Sequence, residues 1–136
     1  MKTKTGKRSW TFGAAALLIF LLVLPSLAKA AAGPVTGRYL RAEGQLIQLQ
    51  ITIGSPTPAS IIVVQNLPPG TAIVQARPQV NRYDMQSGEA KWLLRGSGTL
   101  LLELDLAQPV RPGQIRGQVR YKDPATGATM TEDLAP

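Results

Sequence analysis

From Gln45 to Ile53 the chain alternates strictly. Ile47, Leu49, Ile51 and Ile53 fall on one side, and Gln48, Gln50 and Thr52 on the other. Successive strand side chains point to opposite faces, so this spacing predicts a half-buried strand. Gly54-Ser55-Pro56-Thr57-Pro58 then breaks it with turn residues. Ser60 to Asn66 holds Ile61-Ile62-Val63-Val64, a β-branched run too short for a helix and suited to a central strand. Leu67-Pro68-Pro69-Gly70 closes it, because proline cannot donate to a ladder. Thr71 to Arg77 is extended again, up to Pro78. Val80 to Met85 and Ala90 to Arg95 flank a Gln86-Ser87-Gly88-Glu89 loop as the arms of a hairpin would.

Thr99 to Ala107 is the one ambiguous stretch. Leu100, Leu102, Leu104 and Leu106 alternate with Leu101, Glu103 and Asp105, yet leucine and glutamate also favour helix. Gly96, Gly98 and Pro109 bound the segment tightly, and its length favours a strand over a two-turn helix. Gln114 to Lys122 alternates once more, with Ile115, Val119 and Tyr121 opposite Arg116, Arg120 and Lys122. Asp123-Pro124-Ala125-Thr126-Gly127 reads as a turn, and Ala128 to Asp133 as a last edge strand. Seven to eight short strands at roughly ten-residue spacing, with no amphipathic helix, predict an all-β fold. The expected architecture is an immunoglobulin-like antiparallel β-sandwich.

The N-terminal residues follow a different pattern. Lys2, Lys4, Lys7 and Arg8 precede an apolar run from Phe12 to Leu24, then Pro25 and an Ala28-Lys29-Ala30 triplet. A charged start, a short apolar stretch and small residues at the two positions a signal peptidase reads describe a helical secretory leader. The run is shorter than the about 20 apolar residues a spanning helix needs. The expected organisation is a signal peptide over 1–30, a linker over 31–35 and one sandwich domain over 36–136. Export by the general secretory route is expected, to the periplasm, the cell surface or the extracellular space. Retention of the leader as an uncleaved anchor is the alternative.

Removing the leader changes the charge. The whole chain carries fifteen basic residues against eight acidic ones, a net +7. Five of the basic residues and none of the acids lie in the leader, leaving ten against eight. A net +2 does not point to nucleic acid. Histidine and cysteine are both absent. Disulfides, thiol chemistry, histidine-based triads and the usual zinc ligand sets are therefore excluded. A non-catalytic protein with no cofactor and no metal is expected.

The middle of the chain resembles a known module. An aliphatic strand, Ile61 to Val64, runs into Leu67-Pro68-Pro69-Gly70-Thr71. Trp92 follows about twenty residues later, then the Leu100 to Leu106 strand and Pro112-Gly113. This order resembles the conserved Ig-like repeat domain of bacterial and archaeal surface and cell-wall proteins, over roughly Gly44 to Asp123. The resemblance implies an extracytoplasmic spacer, adhesion or assembly module and carries no catalytic residues with it.

Candidate contact residues are few. Arg116, Arg120 and Lys122 form a basic stripe able to meet an acidic polysaccharide, a lipid headgroup or an acidic partner. The same stripe equally suits neutralisation of cross-strand acids or protection of an edge. Tyr83 and Trp92 flank the expected hairpin and would offer a sugar-stacking surface if exposed. A tryptophan in a sandwich more often fills the core. Glu103 and Asp105 share one strand face and read as its solvated side. The leading expectation is contact with an envelope or surface protein through an edge strand. The alternative is binding of an acidic polysaccharide through Tyr83, Trp92 and the basic stripe. Cleavage after Ala30 is checked by intact mass: the exported product is expected to begin at Ala31, and the full-length mass in exported material would contradict processing.

Overall fold

A computed structural model describes residues 33–136, so the expected leader and its expected cleavage positions Ala28 and Ala30 lie outside the described residues. Among the described residues eight antiparallel strands form two sheets: β1 (Val35–Ile53), β2 (Ile61–Asn66), β3 (Ile73–Arg77), β4 (Arg82–Asp84), β5 (Glu89–Leu94), β6 (Gly98–Val110), β7 (Arg116–Lys122) and β8 (Thr129–Leu134). One sheet has the order β1-β6-β3 and the other β4-β5-β2-β7-β8. Leucines and isoleucines at alternate positions of β1 and β6 meet Ile61, Val63, Trp92, Val119 and Tyr121 of the second sheet in one core. The fold is a β-sandwich.

β1 is not a straight ribbon. Nineteen extended residues would separate its ends by roughly 60 Å. Instead Gly54 N donates to Pro34 O at 2.6 Å, and Arg38 Nε donates to Gln50 Oε1 at 2.7 Å. The strand therefore doubles back near Gly44, whose φ of +77° lies where glycine is favoured. Its second arm, from Leu46 to Ile53, pairs along β6 opposite Asp105 to Gly98, and past an irregularity Gly44 pairs with Val110. The first arm was not foreseen in the sequence. Its pattern is broken by glycines and arginines, and no uninterrupted apolar alternation marks it. The expected linker also ends early, because Val35 already belongs to β1 and is fully buried.

Two further boundaries differ from expectation. Thr99 to Ala107 is indeed a strand, but β6 runs on through Pro109 to Val110. Pro109 lies beyond the stretch that pairs with β3 and within the irregularity that separates the Leu46–Asp105 and Gly44–Val110 pairs with β1, so its missing N–H leaves no ladder bond unmade. The hairpin arm expected over Val80 to Met85 shortens to Arg82–Asp84. As expected, β2 is central, paired to β5 on one side and β7 on the other.

A buried polar clamp ties the first arm of β1 to the opposite sheet. Tyr39 Oη donates to Gln65 Oε1 at 2.6 Å. Gln65 Nε2 donates to the carbonyls of Asn66 and Arg116, each at 3.1 Å. Gln65 is 1% exposed, yet its amide is paired on both sides, so its burial carries no unpaired polar group. Space for the phenol comes from Gly117, opposite Gln65 on β7, where an added Cβ would lie 2.6 Å from Tyr39 Oη.

Burial pushes the Tyr39 phenol up from 10.0 to about 12. A raised pKa means the folded state keeps this proton after the unfolded chain has lost it. The stability it contributes is therefore complete below pH about 10 and is lost as pH climbs towards 12. Tyr39→Phe is expected to cost about 1 kcal/mol at neutral pH and to flatten the loss of stability across that alkaline window. Gln65→Leu, which orphans the phenol and two carbonyls, is expected to cost about 2 kcal/mol or more. Urea unfolding at pH 7 and across pH 9–12 measures both.

Candidate functional site

The alternation of β7 places Arg116, Arg120 and Lys122 together on the outer face of the five-stranded sheet, while Gly117, Val119 and Tyr121 turn inward. The stripe read from the sequence is thus a physical row along one strand. Its cross-strand neighbours differ from end to end. Arg116 lies beside Asn66, which pairs on to Glu89, and Glu89 holds Lys91 in an ion pair at 2.8 Å. Arg120 lies between Ile62 and Thr131, and Lys122 pairs with Thr129. Neither Arg120 nor Lys122 forms a salt bridge among the described residues. Arg120 Nε instead donates to Gln118 Oε1 at 2.5 Å, and Gln118 Nε2 donates to Asp133 Oδ1 at 2.9 Å.

Two shallow depressions flank Arg120. One, of about 350 Å³, is bounded by Ala59, Ser60, Ile62, Arg120, Lys122 and Thr129. The other, of about 410 Å³, is more polar and is bounded by Asn66, Glu89, Arg116, Gln118, Arg120 and Asp133. Ile62 and Leu93 are cross-strand partners on this same face, 41% and 47% exposed. This half of the face therefore combines unpaired cations with accessible aliphatic surface.

The β8 margin adjoins it. Among the described residues β8 pairs only with β7 and ends the sheet. Asp123 N donates to Ala128 O at 2.8 Å. That bond fixes the phase of the ladder, because bonded and non-bonded pairs alternate along antiparallel strands. With Lys122 opposite Thr129 and Tyr121 opposite Met130, residues 130, 132 and 134 bond to β7. The N–H and C=O groups of Thr129, Thr131 and Asp133 point to the open side. The sequence marked this segment as an edge, but only the ladder phase reveals which residues offer their backbone. On the inward side of β8, desolvation raises the carboxyl pKa of Glu132 above the ordinary range.

The other residues singled out lie elsewhere. Trp92 is 2% exposed and its indole N–H donates to Pro78 O at 2.9 Å. Tyr83 pairs with Ala90, whose side chain is in the core, and its hydroxyl donates to Thr71 O. Both aromatics therefore belong to the inner side of the sheet and are not brought to the basic stripe. Glu103 and Asp105 are half-buried on the outer side of the other sheet, where Gln48 Nε2 donates to Glu103 Oε1 at 2.8 Å. Among the described residues no group of three His, Cys, Asp or Glu side chains is placed to hold a metal ion.

The chain matches no family model, no curated protein and no solved structure. Trp92, the tryptophan of the described domain, is expected to emit blue-shifted fluorescence that acrylamide quenches weakly. Replacing Arg116, Arg120 and Lys122 by glutamine should leave that emission unchanged. A red-shifted spectrum that responds to these substitutions would place the indole at the surface.

Proposed function

We propose that this chain is an exported, non-catalytic immunoglobulin-like module that binds an envelope or surface protein by accepting a strand at the β8 edge. The observation that carries the reading is the unequal protection of the sheet margins. An exposed edge is a template for strand addition, and folded proteins blunt the edges they do not use. β4 is three residues long, and beyond it Asn81 occupies the margin of β5: Leu93 N donates to Asn81 Oδ1 at 2.7 Å and Asn81 N donates to Lys91 O at 2.9 Å. β3 carries an irregularity between Ile73 and Gln75 and stops at Pro78. The first arm of β1 bears Arg38 and Arg41. β8 has six residues in unbroken register, with no proline, no lysine or arginine and no bulge. An acidic polysaccharide is the weaker reading, because the aromatics it would stack on lie on the inner side.

A photo-crosslinking residue at Thr131 tests this in the native envelope. It is expected to trap a protein adduct, while the same probe at Gln50 on the other sheet is not. Thr131→Pro removes one edge-facing donor without touching a β7 bond, and should abolish the adduct formed from a probe at Thr129. Equal trapping from Thr131 and Gln50, or an adduct indifferent to the proline, would refute the edge reading.

A further inference from the structure

We infer that the segment received by β8 is an extended acidic strand of another polypeptide, with acidic side chains opposite Thr129 and Thr131 and an apolar one opposite Met130. This rests on the edge reading above and adds the chemistry of the partner. The first argument is reach. Arg120 and Lys122 are the outward neighbours of Thr131 and Thr129, and both threonines are short. A strand added beyond β8 would lie two strand spacings, about 9.6 Å, from β7. Long basic side chains can extend over a threonine to meet carboxylates there, with their stems lying on the sheet.

The second argument is that these cations have no salt-bridge partner among the described residues. Asp133, the nearest acid on the outward side of β8, accepts from Gln118. Opposite charges paired across strands stabilise a sheet, and like charges destabilise it. An incoming strand with acids at these two positions is thus favoured and one with lysines is opposed. On the inward side, Met130 is 38% exposed and asks for apolar cover, whereas half-buried Glu132 asks for a basic or donor side chain.

A second copy of this chain meets these requirements poorly. Two β8 strands paired antiparallel about Thr131 would use the same edge-facing residues. That arrangement sets Thr131 against Thr131, leaving Arg120 without an acid. It also sets Glu132 against Met130, placing a carboxylate on the apolar position. Only Asp133 opposite Thr129 is complementary. The fit favours a heterologous strand.

The test uses the exported domain and two end-blocked peptides. Thr-Lys-Glu-Val-Glu-Thr, antiparallel to β8, sets its two glutamates opposite Thr131 and Thr129, its valine opposite Met130 and its lysine opposite Glu132. Thr-Glu-Lys-Val-Lys-Thr reverses the charges. Titration followed by amide NMR is expected to move the Thr129, Thr131 and Asp133 resonances with the first peptide, more weakly as salt rises. The combined Arg120→Glu, Lys122→Glu protein should lose about fivefold or more in affinity for that peptide and gain affinity for the reversed one. Equal binding of both peptides at the edge would overturn the acidic preference while leaving the edge reading intact. Shifts confined to another face, or no shifts with either peptide, would overturn this inference, and the Thr131 crosslink then reports on the edge reading separately. Self-association of the unliganded protein, seen by sedimentation with the same three amides protected, would overturn the inference in favour of a second copy.

Discussion

Gln65 sits where the sheets meet, and its amide ties its own strand to two others: it accepts from the Tyr39 phenol of β1 and donates to the carbonyls of its neighbour Asn66 and of Arg116 on β7. A buried amide left half-paired would be strongly destabilising, so the first arm of β1 has to sit where Tyr39 can reach it. That position in turn needs Gly117 on the facing strand, since any side chain there would occupy the phenol's place. It also needs the reversal at Gly44, without which the arm would run away from the core. Much of the sandwich's closure on this side follows from one polar residue in a largely apolar interior. The absence of disulfides gives the clamp more weight, because no covalent staple shares the work.

The same flank shapes the surface. With Tyr39, Gly117 and Leu134 packed together beneath it, β7 is fixed from below and shows only its alternate residues to solvent. The result is an outward row of Arg116, Gln118, Arg120 and Lys122 beside a margin whose last strand has, among the described residues, nothing paired to its far side. At one end of the row acids lie within the sheet, where Glu89 holds Lys91 and Asp133 accepts from Gln118. The other end is left beside Ile62, Leu93 and two threonines. The uneven distribution of acids, rather than the number of basic residues, gives this face its direction.

Legibility in the sequence followed the strength of local pattern. The second arm of β1 and the strands β2 and β7 were readable because period-2 alternation or a β-branched run is a property of neighbours along the chain. The basic stripe was readable for the same reason. The first arm of β1 was not, since its residues are held by a cross-sheet hydrogen bond and by pairing with the arm that follows. Proline opposes ladder bonding and so reads as a boundary, yet Pro109 lies inside β6 at a place where no partner strand asks for its N–H. Along the sequence Tyr83 and the stripe read as one surface, although the pleat sends them to opposite faces. Which face a residue occupies depends on which neighbour the strand pairs with, and one sequence cannot state that across a loop.

The sequence by itself determined the all-β class, the central place of Ile61–Asn66, the outward row on β7 and the edge character of the last strand. Each of these is dictated by side-chain alternation and turn chemistry within a dozen residues. The tertiary structure alone decided the doubling back of β1, the Tyr39–Gln65 clamp and the edge-facing groups at Thr129, Thr131 and Asp133. These depend on pairing register and on contacts between segments far apart in the chain, where burial and hydrogen-bond satisfaction act across space rather than along the backbone.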